Sequence, residues 1–268
     1  MKAESSFPRS RPGRALAHTP HRPDNRPSHT PRGARRSGPI GRLGTLPPAP
    51  GRPVFSCAAI SLALFLLITW QVAVDGPLVG LDRALRGEAS DLASSDGALG
   101  TTAQFFADLG GSVIALSVLA LGVVPLVYSR RSPLPLVLAV LAAVAVPLLV
   151  LPLKFAMART GPDGAPLGDY AGYYPSGHAA TAALAYGTLM LLYGGSRRTP
   201  YAAVVLLNIA VGAGLVLRGY HWASDVVASW ALAVLVMCAL TLLSGRFLPS
   251  RPSARLPRAS PVPEPQDR

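Results

Sequence analysis

The sequence predicts an all-α integral membrane protein, a six-helix bundle between disordered N- and C-terminal tails. Three observations predict it. Charged residues make up 14% of the 268-residue chain and apolar residues 50%, with a mean hydropathy of +0.37, whereas soluble domains carry about 25% charged residues. Six apolar runs follow one another with almost no charge inside them. Basic residues recur at every second junction between the runs, as in a chain threaded back and forth through a bilayer.

The runs cover residues 55–74, 112–128, 134–153, 179–193, 201–217 and 226–243. A spanning helix needs about 20 apolar residues, within a range of about 17–25. The fourth run is short by itself, but Ser176 and Gly177 can extend it. Pro125, Pro147 and Pro152 fall within or near helix ends, where membrane helices tolerate proline if neighbours satisfy the freed carbonyls. Residues 55–245 are therefore expected to form one membrane domain.

Residues 1–54 repeat Pro and Arg with no apolar period, and hold eleven of the 25 basic residues. Such a segment cannot bury a core and is expected to be disordered, as is the polar stretch 246–268. The first is too long and Pro-rich for the charged part of a secretory signal, and the run after it is long enough to span and lacks a small-residue cleavage site. The formal net charge of +12 asks for an anionic partner. Nucleic acid is a poor candidate, because the Arg-rich tail has no interleaved aromatics and no folded module. Anionic lipid on the cytoplasmic leaflet accounts for the tail as well. Cys57 and Cys238 lie inside apolar runs, with neither zinc spacing nor a disulfide framework, and read as small apolar filler. Nothing in the chain specifies an oligomeric state.

The junctions fix an orientation. The basic tail, Arg130 with Arg131, Arg197 with Arg198, and Arg246, Arg251 and Arg255 all fall on one side if each run spans once. By the positive-inside rule that side is cytoplasmic, and both termini lie there. The loop after the first run carries Asp75, Asp82, Glu88, Asp91 and Asp96 against Arg83 and Arg86, and belongs outside with the loops after runs three and five.

Three of the five histidines, His18, His21 and His29, are in the tail. The other two, His178 and His221, fall in the outward loops, together with Lys154, Arg159, Arg218 and Asp225. Ionisable groups gathered at one membrane face are functional candidates. Ser176 is a good helix N-cap, and Gly177 lets an anion approach the first-turn amides, a common phosphate site; the same residues also suit a plain capped helix with His178 at the interface. His221 and Asp225 share a helical face if their turn is helical. The carboxylate then holds one imidazole nitrogen and leaves the other nucleophilic, unless the two are a surface pair with Trp222 as an interfacial anchor. Lys154 and Arg159 put two cations beside a Gly- and Pro-rich loop, against the charge bias of that side, or else snorkel at a helix end.

Pro175-Ser176-Gly177-His178, the His221/Asp225 pair and Lys154 resemble the signature of the type-2 phosphatidic acid phosphatase family, which includes bacterial acid phosphatases and vanadium-dependent haloperoxidases. The resemblance covers about 55–243, helix number included. Two positions depart from it. The family arginine seven residues after the lysine is Gly161 here, with Arg159 five after; the family arginine six before the histidine is Leu215, with Arg218 three before. The resemblance implies a lipid phosphate or diphosphate as substrate. It makes His221 the nucleophile, Asp225 its orienting partner and His178 the acid, with Lys154, Arg159, Arg218, Ser176 and Gly177 around the phosphate. No cluster beyond the two histidines has metal-ligand character, so neither metal nor cofactor is expected. The alternative from another class is a small transporter or channel, which calls for ionisable groups near mid-membrane and inverted repeats; the charges here sit at helix ends and no internal repeat is seen.

Overall fold

The protein is described from a computed structural model, which covers residues 52–92, 97–164, 166–194 and 198–247. The tails expected at 1–54 and 246–268 lie outside these residues, except that 52–54 and 246–247 are ends of helices. Every regular element among the described residues is helical. Each of the six runs forms a helix: α1 (Arg52–Ala73), α4 (Ser112–Arg130), α5 (Leu134–Met157), α6 (Gly177–Tyr193), α7 (Arg198–Leu217) and α8 (Ala223–Phe247). All except α6 are long and apolar enough to cross a bilayer. Pro125, Pro147 and Pro152 lie inside α4 and α5 without ending them.

The segment between the first two runs departs from expectation. In place of an acidic loop it folds into α2 (Pro77–Leu92) and α3 (Ala98–Leu109). α2 has no continuous apolar run, because only one of its faces is buried. Val79, Asp82 and Ala89 are buried and Arg86 is half-buried, a spacing that lines one side of a helix. α3 lies along α7, and α2 touches α1, α7 and α8.

α6 is the shortest of the six, at 17 residues, or about 26 Å of rise against a hydrocarbon core of about 30 Å. It is also the central helix, in contact with α4, α5, α7 and α8. Its sequence suits that place: Ala179, Ala180, Ala182, Ala185, Thr181 and Thr188 are buried, and small residues let membrane helices approach closely. α4 runs beside it in the same direction. Tyr186 Oη donates to the Leu109 carbonyl (2.6 Å) at one end, and Arg130 Nη2 donates to the Leu192 carbonyl (2.6 Å) at the other. The ends of α4 and α6 that carry Arg130 and Leu192 are thus opposite the loops 158–176 and 218–222.

The 158–176 loop folds back over the end of α5 through Gly172. Its φ is +131°, and a Cβ there would lie 2.9 Å from the Lys154 carbonyl and 3.2 Å from the Arg159 amide nitrogen. That close approach lets the Tyr173 amide bond to the Arg159 carbonyl (3.0 Å), while the fully buried Tyr174 is tethered by its hydroxyl to Thr69 of α1 (2.7 Å). Gly172→Ala is expected to lower the thermal midpoint of the detergent-purified protein by the equivalent of about 1–3 kcal/mol. An unchanged midpoint would mean that the loop accepts a side chain there.

Candidate active site

The site is assembled at the loop-bearing end of the bundle, where α5 ends, α6 and α8 begin and α2 crosses behind them. Ser176, fully buried, is the N-cap of α6: its Oγ accepts from the Ala179 amide (3.2 Å). Its own amide donates to the Asp225 carbonyl (3.2 Å), and its carbonyl accepts from Ser229 Oγ (2.8 Å). The N-terminus of α6 is therefore bolted to the first turns of α8. The amides of Gly177 and His178, in the first turn, have no partner inside the helix. Nothing lies within 4 Å of where a Gly177 Cβ would stand, so this end is open to an anion.

His221 sits in the bend just before α8, and Asp225 is the third residue of that helix. They meet as expected, but across a bend and not within a helical turn, with Nδ1 and Oδ2 3.4 Å apart. The same Oδ2 accepts from the Trp222 amide (3.1 Å), as an acidic third residue does when it reaches back to cap its own helix. His221 and Asp225 are 4% and 0% exposed, so the pair is shielded from water. The His178 ring lies 6.4 Å from the His221 ring, centre to centre, and the Tyr173 ring meets His221 in a T-shaped contact at 5.8 Å.

The three cations differ in how they are held. Lys154, buried, donates to the Tyr170 hydroxyl (2.8 Å) and to the Gly172 carbonyl. Burial, and then the Asp225 charge, push the Tyr170 phenol above its usual range, so it stays protonated beside the ammonium. Arg159 is committed to carboxylates: Nη1 donates to Asp225 Oδ1 (2.6 Å) and Ser224 Oγ (2.7 Å), and Nη2 to Asp82 Oδ2 (2.7 Å). Its guanidinium also lies 5.3 Å from the centre of the Trp222 ring. Arg218 donates through Nε to Gln104 of α3 (2.9 Å), and its terminal nitrogens have no hydrogen-bond partner among the described residues. Asp225, Arg159, His178 and the Ser176–Gly177 helix start thus gather around His221, Lys154 lines a groove with Gly177 and His178, and Arg218 is anchored on the α3 side.

Four participants escaped the sequence. Asp82 accepts from Ser224, Gln104 holds Arg218, Tyr170 holds Lys154, and Ser224 bridges Arg159 to Asp82. For Asp82 the signal was the 79/82/86/89 face of α2, masked by the acidic count of its segment. Among the described residues, no group of three or more His, Cys, Asp or Glu side chains is arranged to hold a metal. Beside the site, an apolar groove of about 350 Å³ between α4, α5 and α6 opens on Lys154, Gly177 and His178. Leu116 and Ala143 also line a second groove, of about 450 Å³, that reaches Tyr128.

Comparison with known proteins bears out the family resemblance drawn from the sequence. Residues 132–248 match the PAP2 superfamily. A lipid A 1-phosphatase of Porphyromonas gingivalis is 40% identical over 85 residues, which are 31% of this chain and 18% of that protein. The chain therefore spans less than a fifth of this curated relative. The crystal structure of a transmembrane PAP2-type phosphatidylglycerolphosphate phosphatase from Bacillus subtilis has a similar fold, with a TM-score of 0.64 at 21% identity, over 72% of this chain and 98% of that one. The all-helical membrane architecture is common to both.

The Ser176 cap gives a stability prediction. Ser176→Ala leaves the Ala179 amide unpartnered and should cost about 1 kcal/mol, read as a lower thermal midpoint in detergent. A midpoint equal to wild type would mean that the hydroxyl serves no structural purpose.

Proposed function

We propose that the protein is a membrane phosphatase that hydrolyses a lipid phosphate or diphosphate through a phosphohistidine on His221. The observation that carries this reading is the shielded His221–Asp225 pair, set beside His178 and the open N-terminus of α6. Asp225 holds Nδ1, so Nε2 carries the lone pair that attacks phosphorus. The bond to the leaving oxygen breaks as His178 delivers a proton to it. His178 then takes a proton from water, which attacks the phosphohistidine and releases phosphate. Charge building on the phosphoryl oxygens meets Lys154, Arg218 and the amides of Gly177 and His178, the last two held in place by the Ser176 cap. Arg159 contributes its charge from behind Asp225.

The apolar groove beside Lys154 and His178 favours an amphiphile whose phosphate lies at headgroup depth, and a relative named for a lipid A phosphate agrees with that class. Polyprenyl diphosphate, phosphatidate and phosphatidylglycerol phosphate are the substrates to rank, by specificity constant, in detergent. His221→Ala and His178→Ala should each lower turnover by at least about 100-fold, and the double variant should be little worse than the worse single one, because residues acting as a unit are not additive. Phosphate release should also persist in excess EDTA. Turnover that vanishes on chelation and returns with Mg²⁺ would overturn the histidine mechanism.

The site faces outward in this reading, with Arg130 and Arg131 at the cytoplasmic end. In a background of Cys57→Ala and Cys238→Ala, a cysteine at the exposed Asp169 should react with an impermeant thiol reagent in intact cells. A cysteine at the exposed Arg131 should not. The opposite pattern would place the chemistry on the cytoplasmic side.

A further inference from the structure

We propose that Asp82 of α2 is a positioning residue for the His221–Asp225 pair, acting through Arg159 and Ser224, and that Arg159 belongs to this carboxylate clamp and does not touch substrate phosphate. The proposal rests on the function proposed above for its effect on turnover, though not for its effect on stability. Asp82 is 2% exposed and Asp225 fully buried, with Arg159 between them. Asp82 Oδ1 accepts from the Ser224 amide (2.9 Å), and Oδ2 accepts from Ser224 Oγ and Arg159 Nη2. It therefore caps α8 from outside that helix: the Ser224 amide is one of the first-turn donors left without an intrahelical partner, and a carboxylate there also complements the helix dipole. Fixing Ser224 and Arg159 fixes Asp225 Oδ1, so the other oxygen, Oδ2, is left to face His221.

α2 holds the site at a second point. Arg86, one turn after Asp82, pairs with Asp163 of the 158–176 loop (3.1 Å). Its guanidinium also lies against Gly219, whose φ is +68° and where a Cβ would come within 2.5 Å of Arg86 Nη2. One face of α2 thus grips the loop that carries His221 and the loop that leads into α6.

Charge counting makes the proposal testable. Asp82, Arg159 and Asp225 sum to −1. Asp82→Asn brings the sum to 0, Arg159→Gln to −2, and the double change returns it to −1. Arg159→Gln leaves two buried carboxylates facing each other with no cation, the costly way to break a buried pair. We expect it to lower the thermal midpoint and to reduce kcat by about 100-fold or more, with KM within about 3-fold of wild type. Adding Asp82→Asn should raise the midpoint again and recover kcat by about 10-fold. A double variant no better than Arg159→Gln, or a KM raised about 10-fold by Arg159→Gln at an unchanged midpoint, would overturn the proposal and put Arg159 on the phosphate.

Should Arg159→Gln fail to fold while the double variant folds, the clamp is supported. Should both fail, Asp82→Asn and Asp82→Glu decide. The first should lower kcat about 10-fold at constant KM and the second should retain more of it, whereas wild-type kcat in Asp82→Asn would refute positioning. His221→Ala, assayed alongside, separates the two claims. Turnover that survives in it defeats the phosphohistidine reading, while the stability cycle still reports on the clamp.

Discussion

Taking a carboxylate or a guanidinium out of water costs several kcal/mol per ion even after relaxation, and a buried ion pair offsets this only if nearly every polar atom finds a partner. Asp82, Asp225 and Arg159 meet that condition. Each of the four carboxylate oxygens has a partner: the Ser224 amide, Arg159 Nη2 with Ser224 Oγ, Arg159 Nη1, and the Trp222 amide with His221. Ser224 Oγ gives its one proton to Asp82 and accepts from Arg159. The network joins α2, the loop after α5 and the start of α8, which among the described residues share no other charged link of this depth. Removing one member of such a set costs about 3–5 kcal/mol, a large part of the roughly 5–15 kcal/mol that holds a folded protein together. The place of His221 relative to α6 follows from that constraint, because α6 is tied to the same turn of α8 through Ser176 and Ser229.

This network also marks where the sequence stops being informative. Five of the six runs were readable as spans because a bilayer demands length and apolarity, which are local properties. α6 was readable only as a short run, since its boundary depends on the Ser176 cap. α2 was not readable by hydropathy at all, and its amphipathic period was overshadowed by its acidic count. Only that period sets Asp82 apart from Asp75 and Glu88 in the sequence. What gives Asp82 its partner is a guanidinium 77 positions away. His221 and Asp225 could be paired because i and i+4 meet both in a helical turn and in the bend that actually forms. Lys154 and Arg159 could be placed at the site but not told apart in role, because spacing gives proximity and says nothing of which anion each one meets.

The two displaced arginines can be understood in the same terms. At Gly161 a Cβ would lie 2.5 Å from the ring of Tyr173, so the aromatic ring occupies the space that a longer side chain would need. That ring is the one that meets His221 in a T-shaped contact. Leu215 is fully buried in the main core, and its carbonyl accepts from the amides of Tyr220 (2.9 Å) and His221 (3.3 Å). An arginine there would have to bring its charge into the core while its backbone shapes the turn of His221. Cations therefore reach the site from other backbone positions. Of the three, Lys154 is already bonded to a phenol and a carbonyl, Arg159 is bound by carboxylates, and Arg218 alone has terminal nitrogens unused by its anchor. In the proposed function a phosphate would lean on what the helix itself supplies: about half a positive charge at the N-terminus of α6 and two first-turn amides with no side chain in front of Gly177. The small residues that let α6 occupy the centre of the bundle thus also bring its bare N-terminus beside His221, so packing and the proposed anion binding are met by the same choice of sequence.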